Sequence, residues 1–383
     1  MSKVSIVKCD NYEQDEVDRA VRESVELAGG MRGIVNPGDK VILKVNVLNA
    51  DVPEKAVTTH PAIAKAVIRL VKKAGGIPFL GDAPGIAYTY EDAREAWQAT
   101  GLKKAAEEEG VEIVNFKQVK EIKTSVNKRV PVLHIAKDVM DADAVISLPK
   151  LKTHSFTLFT GAIKNLYGTI PGFRKKELHA LAPKPEAFAE LVVDILAAVK
   201  PKLAVMDAIV GMEGFGPAAG SPRRIGLVMA SKDMVAVDAV ASYIIGYNPL
   251  DVEITRVAYE RGFGEARIEK LDIRGEKLEE VKLEDFQLIN NLNTFLKRVP
   301  SFILFLARVA APLFLKVEPQ VNRENCVACG VCVKHCPTKA IKFASSIPKI
   351  QRKKCIKCFC CQEFCPEKAI IIKYNWLAKK LKM

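Results

Sequence analysis

Moved along itself by 29 residues, the C-terminal part of the chain falls on its own copy. Cys326, Cys329, Cys332 and Cys336-Pro337 land on Cys355, Cys358, Cys361 and Cys365-Pro366. Val321-Asn322-Arg323 lands on Ile350-Gln351-Arg352, and Lys339-Ala340-Ile341 on Lys368-Ala369-Ile370. This is a half-module written twice, and any fold for the region must place both copies in equivalent settings. Nine of the ten cysteines lie between Cys326 and Cys365, with only Cys9 elsewhere, a distribution that scattered disulfides do not produce.

Each half reads C-x-x-C-x-x-C-x-x-x-C-P. Two residues between ligands let neighbouring sulfurs reach different irons of one cube, and the proline turns the fourth cysteine toward the other cube. One 4Fe-4S cluster is therefore expected on Cys326, Cys329, Cys332 and Cys365, and a second on Cys355, Cys358, Cys361 and Cys336. Paired zinc sites are the weaker alternative, because a zinc ribbon takes two C-x-x-C pairs per metal rather than runs of four ending in Cys-Pro. From about Val321 to Ile371 the chain resembles two-cluster 4Fe-4S ferredoxins, which implies a small α+β bacterial ferredoxin-like domain. An extra thiol, Cys360, falls opposite Val331 and reads as a small buried side chain rather than a ligand.

Charge follows the same division. Of the formal net charge of +13, the stretch Pro319 to Met383 carries +11, from fourteen Lys and Arg against three Glu and no Asp. Basic residues beside the cysteines, such as Lys334, Lys353 and Lys357, would steer an acidic electron-transfer protein toward the clusters. Nucleic-acid binding is the weaker reading of this charge, since no recognised binding motif accompanies it. The N-terminus shows no apolar stretch or cleavage site of a secretory signal, so a reducing cytoplasm is expected. The apolar stretch Phe295 to Val317 is interrupted by Lys297, Arg298, Pro300, Arg308 and Pro312. Its longest uncharged run, Val299 to Ala307, is too short for a transmembrane segment and reads as part of a helical connector.

Residues 1–280 alternate helical patterns with short apolar runs, which predicts an α/β domain with a mostly parallel sheet and flanking helices. Helices are expected over Asp15–Ala28, Pro61–Ala74, Pro185–Val199 and Met234–Ile245. Strands are expected over Val41–Val47, Ile77–Gly81, Val111–Phe116, Ala144–Leu148, Leu203–Met206 and Gly226–Ala230. An apolar helical linker over 281–318, the ferredoxin-like domain over 319–374 and a basic tail over 375–383 complete the organisation.

Polar residues gather at or beyond the ends of four of the large domain's apolar runs: Lys44 and Asn46, Asp82, Lys150 with Lys152 and His154, and Asp207. In open α/β sheets ligands sit outside the carboxyl ends of the strands, so these side chains are candidates for one pocket. Lys44, Asn46, Asp82, Lys150, Lys152, Lys164 and Asn165 are the candidate substrate-binding residues, and the lysines point to a small anionic substrate. His154, Asp207 and Glu213, the last between glycines in Gly211-Met-Glu-Gly-Phe-Gly, are the candidate catalytic residues. Ordinary capping roles for the aspartates and a helix-end or surface role for His154 or His179 are the competing readings. No G-x-x-x-x-G-K-[ST] loop is present, which argues against a standard nucleotide triphosphatase site.

KVNVLNA, THP, GDAPG, LPKLKTH, TGAIKNLYG and MDAIVGMEGFGP, in this order, resemble the domain of unknown function 362 family over about Val4 to Arg274. The resemblance implies an iron-sulfur architecture and a redox association without a settled reaction. Val45 departs from the family pattern, which has a proline there. The expected function is an oxidoreductase that passes electrons through two 4Fe-4S clusters to a small anionic substrate or cofactor. A non-catalytic electron carrier or cofactor-assembly factor that docks a partner enzyme is the alternative.

Overall fold

The structure is a computed structural model and describes residues 1–85, 90–114, 116–124, 129–172, 174–289 and 317–376. Most of the expected linker and all but the first two residues of the expected basic tail lie outside the described residues.

The large domain contributes β1 (Lys3–Lys8), β2 (Lys40–Val45), β3 (Ile77–Gly81), β4 (Ile113–Val114), β5 (Val119–Lys123) and β6 (Val132–Ala136). They are followed by β7 (Ala144–Leu148), β8 (Lys150–His154), β9 (Leu158–Thr160), β10 (Leu203–Glu213), β11 (Ser221–Ser231) and β12 (Asp272–Gly275). Ten of these form one sheet in the order β12-β1-β11-β10-β7-β2-β3-β4, with β8 and β9 attached beside β10; β5 and β6 make a separate hairpin. Pairing is parallel from β10 through β7, β2 and β3 to β4, while β11 runs against both β1 and β10. The mostly parallel α/β sheet expected from the sequence is what the chain forms.

Both faces of the central strands are buried. Val41, Leu43, Ala144, Ile146, Leu203 and Val205 enter one apolar cluster, while the intervening Ile42, Val145, Ala204 and Met206 enter the other. This two-residue alternation with every position apolar is the pattern of a strand covered by helices on both sides. Helices Gln14–Leu27 and Pro61–Lys73 cover one face, and Pro185–Val199 and Met234–Ile244 the other. Local chemistry sets their ends. Pro61 occupies the first turn of its helix, where its missing N–H costs nothing, and the His60 imidazole accepts from Ala62 N at 3.2 Å. Asp233 accepts from Val235 N at 2.9 Å and Ala236 N at 3.0 Å and so caps the helix that follows.

The second unit preserves the 29-residue duplication in its backbone. Strands β13 (Val317–Val321) and β16 (Ile370–Tyr374) pair antiparallel, as do β14 (Ile341–Ala344) and β15 (Ile347–Ile350). The short helices Val331–Lys334 and Cys360–Glu363 occupy equivalent places in the two halves. Left-handed residues recur at equivalent positions: Ala328 with Lys357, Gly330 with Phe359, and Lys339 with Lys368. The halves interlock, since Asn322 N donates to Ala369 O and Gln351 N to Ala340 O, both at 2.7 Å. The unit docks on the large domain through Ser155 Oγ, 3.0 Å from Gln362 Oε1, and through Lys176 Nζ, which donates to Lys334 O at 2.7 Å.

Two expectations need adjustment. Strand β10 continues seven residues beyond Met206, and β11 begins before Gly226, because the two form a long antiparallel ribbon from Ala204↔Ser231 to Glu213↔Ser221. Lys150, Lys152 and His154, expected after a strand, themselves form β8, whose Lys150 pairs in register with Asp207. That register makes a buried ion pair of 2.9 Å, with both side chains 0% exposed. Tyr12 Oη donates to Asp207 Oδ1 at 2.8 Å, and His60 N to Asp207 Oδ2 at 2.9 Å. Removing one partner of such a pair strands a charge away from water. Asp207→Ala is therefore expected to destabilise the chain by about 3–5 kcal/mol, read as a lower urea midpoint; a loss below about 1 kcal/mol would show that Lys150 finds relief elsewhere.

Candidate functional site

Two cavities in the C-terminal unit are lined by cysteines, and each takes ligands from both halves. Cys326, Cys329, Cys332 and Cys365 line one; Cys336, Cys355, Cys358 and Cys361 line the other. The residues fit a cluster in a further respect: Ala340 N donates to Cys336 Sγ at 3.1 Å and Ala369 N to Cys365 Sγ at 3.2 Å, at equivalent positions of the repeat. Such N–H donors stabilise thiolate and tune cluster potential. Burial pushes the Cys332 thiol up to about 11 and the Cys361 thiol higher still, so bound metal is what would hold these sulfurs deprotonated near neutral pH.

A third cavity, of about 90 Å³, lies where the two units meet. It opens beyond the carboxyl ends of β2 and β3, the usual ligand position in such sheets. From the large domain it is lined by Lys44, Asn46, Asp82, Lys152, Lys164 and Asn165. Thr160, Tyr167, Lys175, Lys176 and His179 also line it from that side, and His335, Cys360, Glu363 and Phe364 come from the other unit.

Lys44 and Lys152 are 0% and 1% exposed, so their charges depend on what surrounds them. Lys44 Nζ lies 2.9 Å from Asp82 Oδ1, and Asp82 Oδ2 accepts from Val47 N at 2.5 Å. Asn165 Nδ2 donates to Lys44 O at 2.8 Å and to Ser147 Oγ at 3.0 Å, tying the short helix Ala162–Asn165 after β9 to β2 and β7. Lys152 Nζ donates to Asn46 Oδ1 at 2.7 Å and Val57 O at 2.6 Å. Lys175 Nζ donates to the carbonyls of Ala83 and Pro84. Burial, reinforced by Lys164, lowers Lys152 to about 7; burial also lowers Lys175 to about 8. Burial lowers Lys164 as well, against the pull of Glu363. Glu363 is raised by burial and drawn back by Lys164, Lys152 and Lys175.

Glycines make this packing possible at two points. A Cβ on Gly168 would sit 2.1 Å from Asp82 Oδ1 and 2.6 Å from Lys44 Nζ. A Cβ on Gly161 would lie 2.1 Å from Asp238 Oδ1, whose carboxylate accepts from Ala162 N at 2.5 Å and Ile163 N at 3.0 Å. Val45 ends β2 in register with Leu148, and its carbonyl accepts from Lys44 Nζ at 2.5 Å.

Six of the expected binding residues thus face one cavity, while Lys150 is turned into its ion pair with Asp207. His154 is 2% exposed; its Nδ1 accepts from Phe156 N at 3.0 Å, and its Nε2 is buried without a partner. Glu213 accepts from Gln287 N at 3.0 Å. Neither lines the cavity. Lys175, Thr160 and Glu363 do line it and were not singled out from the sequence. Lys175 stands in a basic run after Pro171-Gly172, and Glu363 is one of only three acids among the last 65 residues.

Residues 319–342 match the model of a 4Fe-4S binding domain, and this is an iron-sulfur protein. Residues 41–243 match the model described as Domain of unknown function (DUF362), and the chain belongs to that family. The thylakoid-associated protein sll1697 of Synechocystis sp. (strain ATCC 27184 / PCC 6803 / Kazusa) is 36% identical over 262 residues, covering 68% of this chain and 79% of that protein. Among solved structures, the lactate racemase apoprotein from Thermoanaerobacterium thermosaccharolyticum superposes with a TM-score of 0.40 at 13% identity. That match covers 64% of this chain and 56% of the other, so the chain spans little more than half of its length. Among the described residues no helix is long and apolar enough to cross a membrane.

Gly168→Ala should force Lys44 and Asp82 apart and destabilise the chain by about 1–3 kcal/mol in urea unfolding. Acid should act through His179, which burial holds at about 3 against an ordinary 6.5. The unfolded chain takes up the proton first, so this group's contribution is full above pH 6.5 and is lost as pH falls toward 3. Equilibrium unfolding of His179→Gln between pH 7 and about 4 should show a shallower loss than the parent chain.

Proposed function

We propose that this protein is an oxidoreductase in which two 4Fe-4S clusters, held by the crossed cysteine sets, exchange electrons with a small anionic ligand in the cleft between the units. One observation carries this reading: the helix Cys360–Glu363 belongs to both sites. Cys361 lines a cysteine cavity, and its neighbours Cys360 and Glu363 line the cleft. A ligand in the cleft is then separated from a cluster-bearing sulfur by a single short helix.

The side chains of the cleft have distinct tasks. Lys164 and Lys175 supply positive charge, and the Lys44–Asp82 pair fixes one wall. Lys152, lowered to about 7 by burial, is suited to hold or release a proton beside the ligand near neutral pH. In this reading His154, Asp207 and Glu213 serve the architecture. The basic residues around the cysteines favour an acidic electron-carrier partner, and a reducing cytoplasm suits eight unbridged thiols.

Protein purified without oxygen should contain about eight iron and eight sulfide per chain and give paramagnetic signals from two clusters after reduction. Small anionic oxidants should reoxidise the reduced protein, and Lys164→Glu should slow that step at least tenfold. Half the iron would remove the second cluster. A rate indifferent to Lys164→Glu would remove the cleft from the path and favour a carrier that docks a partner enzyme.

A further inference from the structure

The charges in the cleft do not balance. Lys44 is matched by Asp82 at 2.9 Å. The bonds of Lys152 go to a side-chain amide and a carbonyl, and those of Lys175 to two carbonyls. Lys164 shares with these two the influence of one carboxylate, Glu363. With all three protonated, three ammonium groups face one acid, and a further lysine of the lining, Lys176, donates to Lys334 O. Positive charge is left in excess among partly buried groups, an arrangement that is costly unless a ligand completes it or a lysine gives up its proton.

A second observation points to oxygen-rich ligands. Thr160 is 4% exposed and lines the cavity, yet its Oγ1 is buried without a hydrogen-bond partner. A hydroxyl held in this way is a donor prepared for an acceptor not supplied by the described residues. Size narrows the choice. At about 10–15 Å³ per water-sized group, the cavity of about 90 Å³ holds roughly six to nine such groups. A nucleotide would have to extend beyond it. The cations are lysines, point charges that adapt to either carboxylate or phosphate oxygens.

We propose that the cleft selects a small organic dianion, carrying either two carboxylates or one phosphate, over monoanions of similar size and over nucleotides. This rests on the reading of the cleft as a ligand site and specifies what it takes. Binding is coupled to protons. Lys152 and Lys175 lie at about 7 and 8 under the combined influence of burial, Lys44, Lys150, Lys164, Asp82 and Glu363. Lys176, His179, His335, Tyr167 and Cys360 complete the ionisable lining. A dianion raises both lysines, so binding near pH 8 takes up protons, and affinity falls as pH rises through and beyond this range.

The test is calorimetric titration of the full chain, purified without oxygen and carrying its iron, between pH 7 and 9. The probes are succinate, glycerol phosphate, butyrate and adenosine monophosphate. At least one of the first two should bind tenfold or more tighter than butyrate, and which one does identifies the oxyanion. The binding enthalpy at pH 8 should differ between Tris and HEPES, reporting the proton taken up. Lys164→Gln should lower dianion affinity at least tenfold, while Lys232→Gln on the outer surface should leave it unchanged.

The proposal is overturned if neither dianion binds, if butyrate or adenosine monophosphate binds as tightly, or if affinity does not change with pH. Dianion binding without any reoxidation of reduced protein would sink the electron-transfer reading and leave this one standing. Reoxidation by a monoanion that dianions do not displace would do the reverse.

Discussion

A lysine and an aspartate at the ends of adjacent parallel strands organise the centre of this molecule. Lys44 belongs to β2 and Asp82 follows β3, and their ion pair of 2.9 Å is closed over by Gly168 and Asn165. Neither charge reaches water, so each depends on the other and on the backbone groups around it. Asp82 also accepts from Val47 N, and Asn165 binds both Lys44 O and Ser147 Oγ. One polar knot thereby fixes the loops after β2 and β3 and the short helix after β9, and with them the floor of the cleft. The lysines around it have depressed proton affinities because this floor is dry.

The repeated cysteine unit shows how sequence symmetry becomes structural symmetry. Residues with positive φ recur in register across the two halves, and the N–H groups of Ala340 and Ala369 reach equivalent sulfurs. Each half supplies the fourth sulfur of the other's cavity, so neither cavity is complete within one copy. The extra thiol, Cys360, leaves this symmetry. It faces the cleft, where the other half carries Val331 at the equivalent position.

Much of this was legible from residue patterns, for identifiable reasons. Strands β3 and β7 and the helix Pro185–Val199 fall on their expected boundaries because glycine, proline or a change of hydrophobic period marks each end. The gathering of Lys44, Asp82 and Lys152 followed from their places at or beyond the ends of apolar runs and the rule that ligands meet carboxyl ends. What local pattern did not reveal was tertiary. Nothing near Lys150 in the chain announces that register with β10 will bring it against Asp207, 57 residues away. Glu363 was hidden among cysteine ligands, and its importance comes only from which face of its short helix meets the large domain.

That last contact gives the cleft an unusual dependence. Four of its lining residues, His335, Cys360, Glu363 and Phe364, arrive from the iron-sulfur unit. With that unit undocked, the cleft would lose these four residues, and Lys152, Lys164 and Lys175 the carboxylate of Glu363. The cleft is closed only where the cysteine repeat packs against the large domain, so its wall depends on the unit that carries the cysteines.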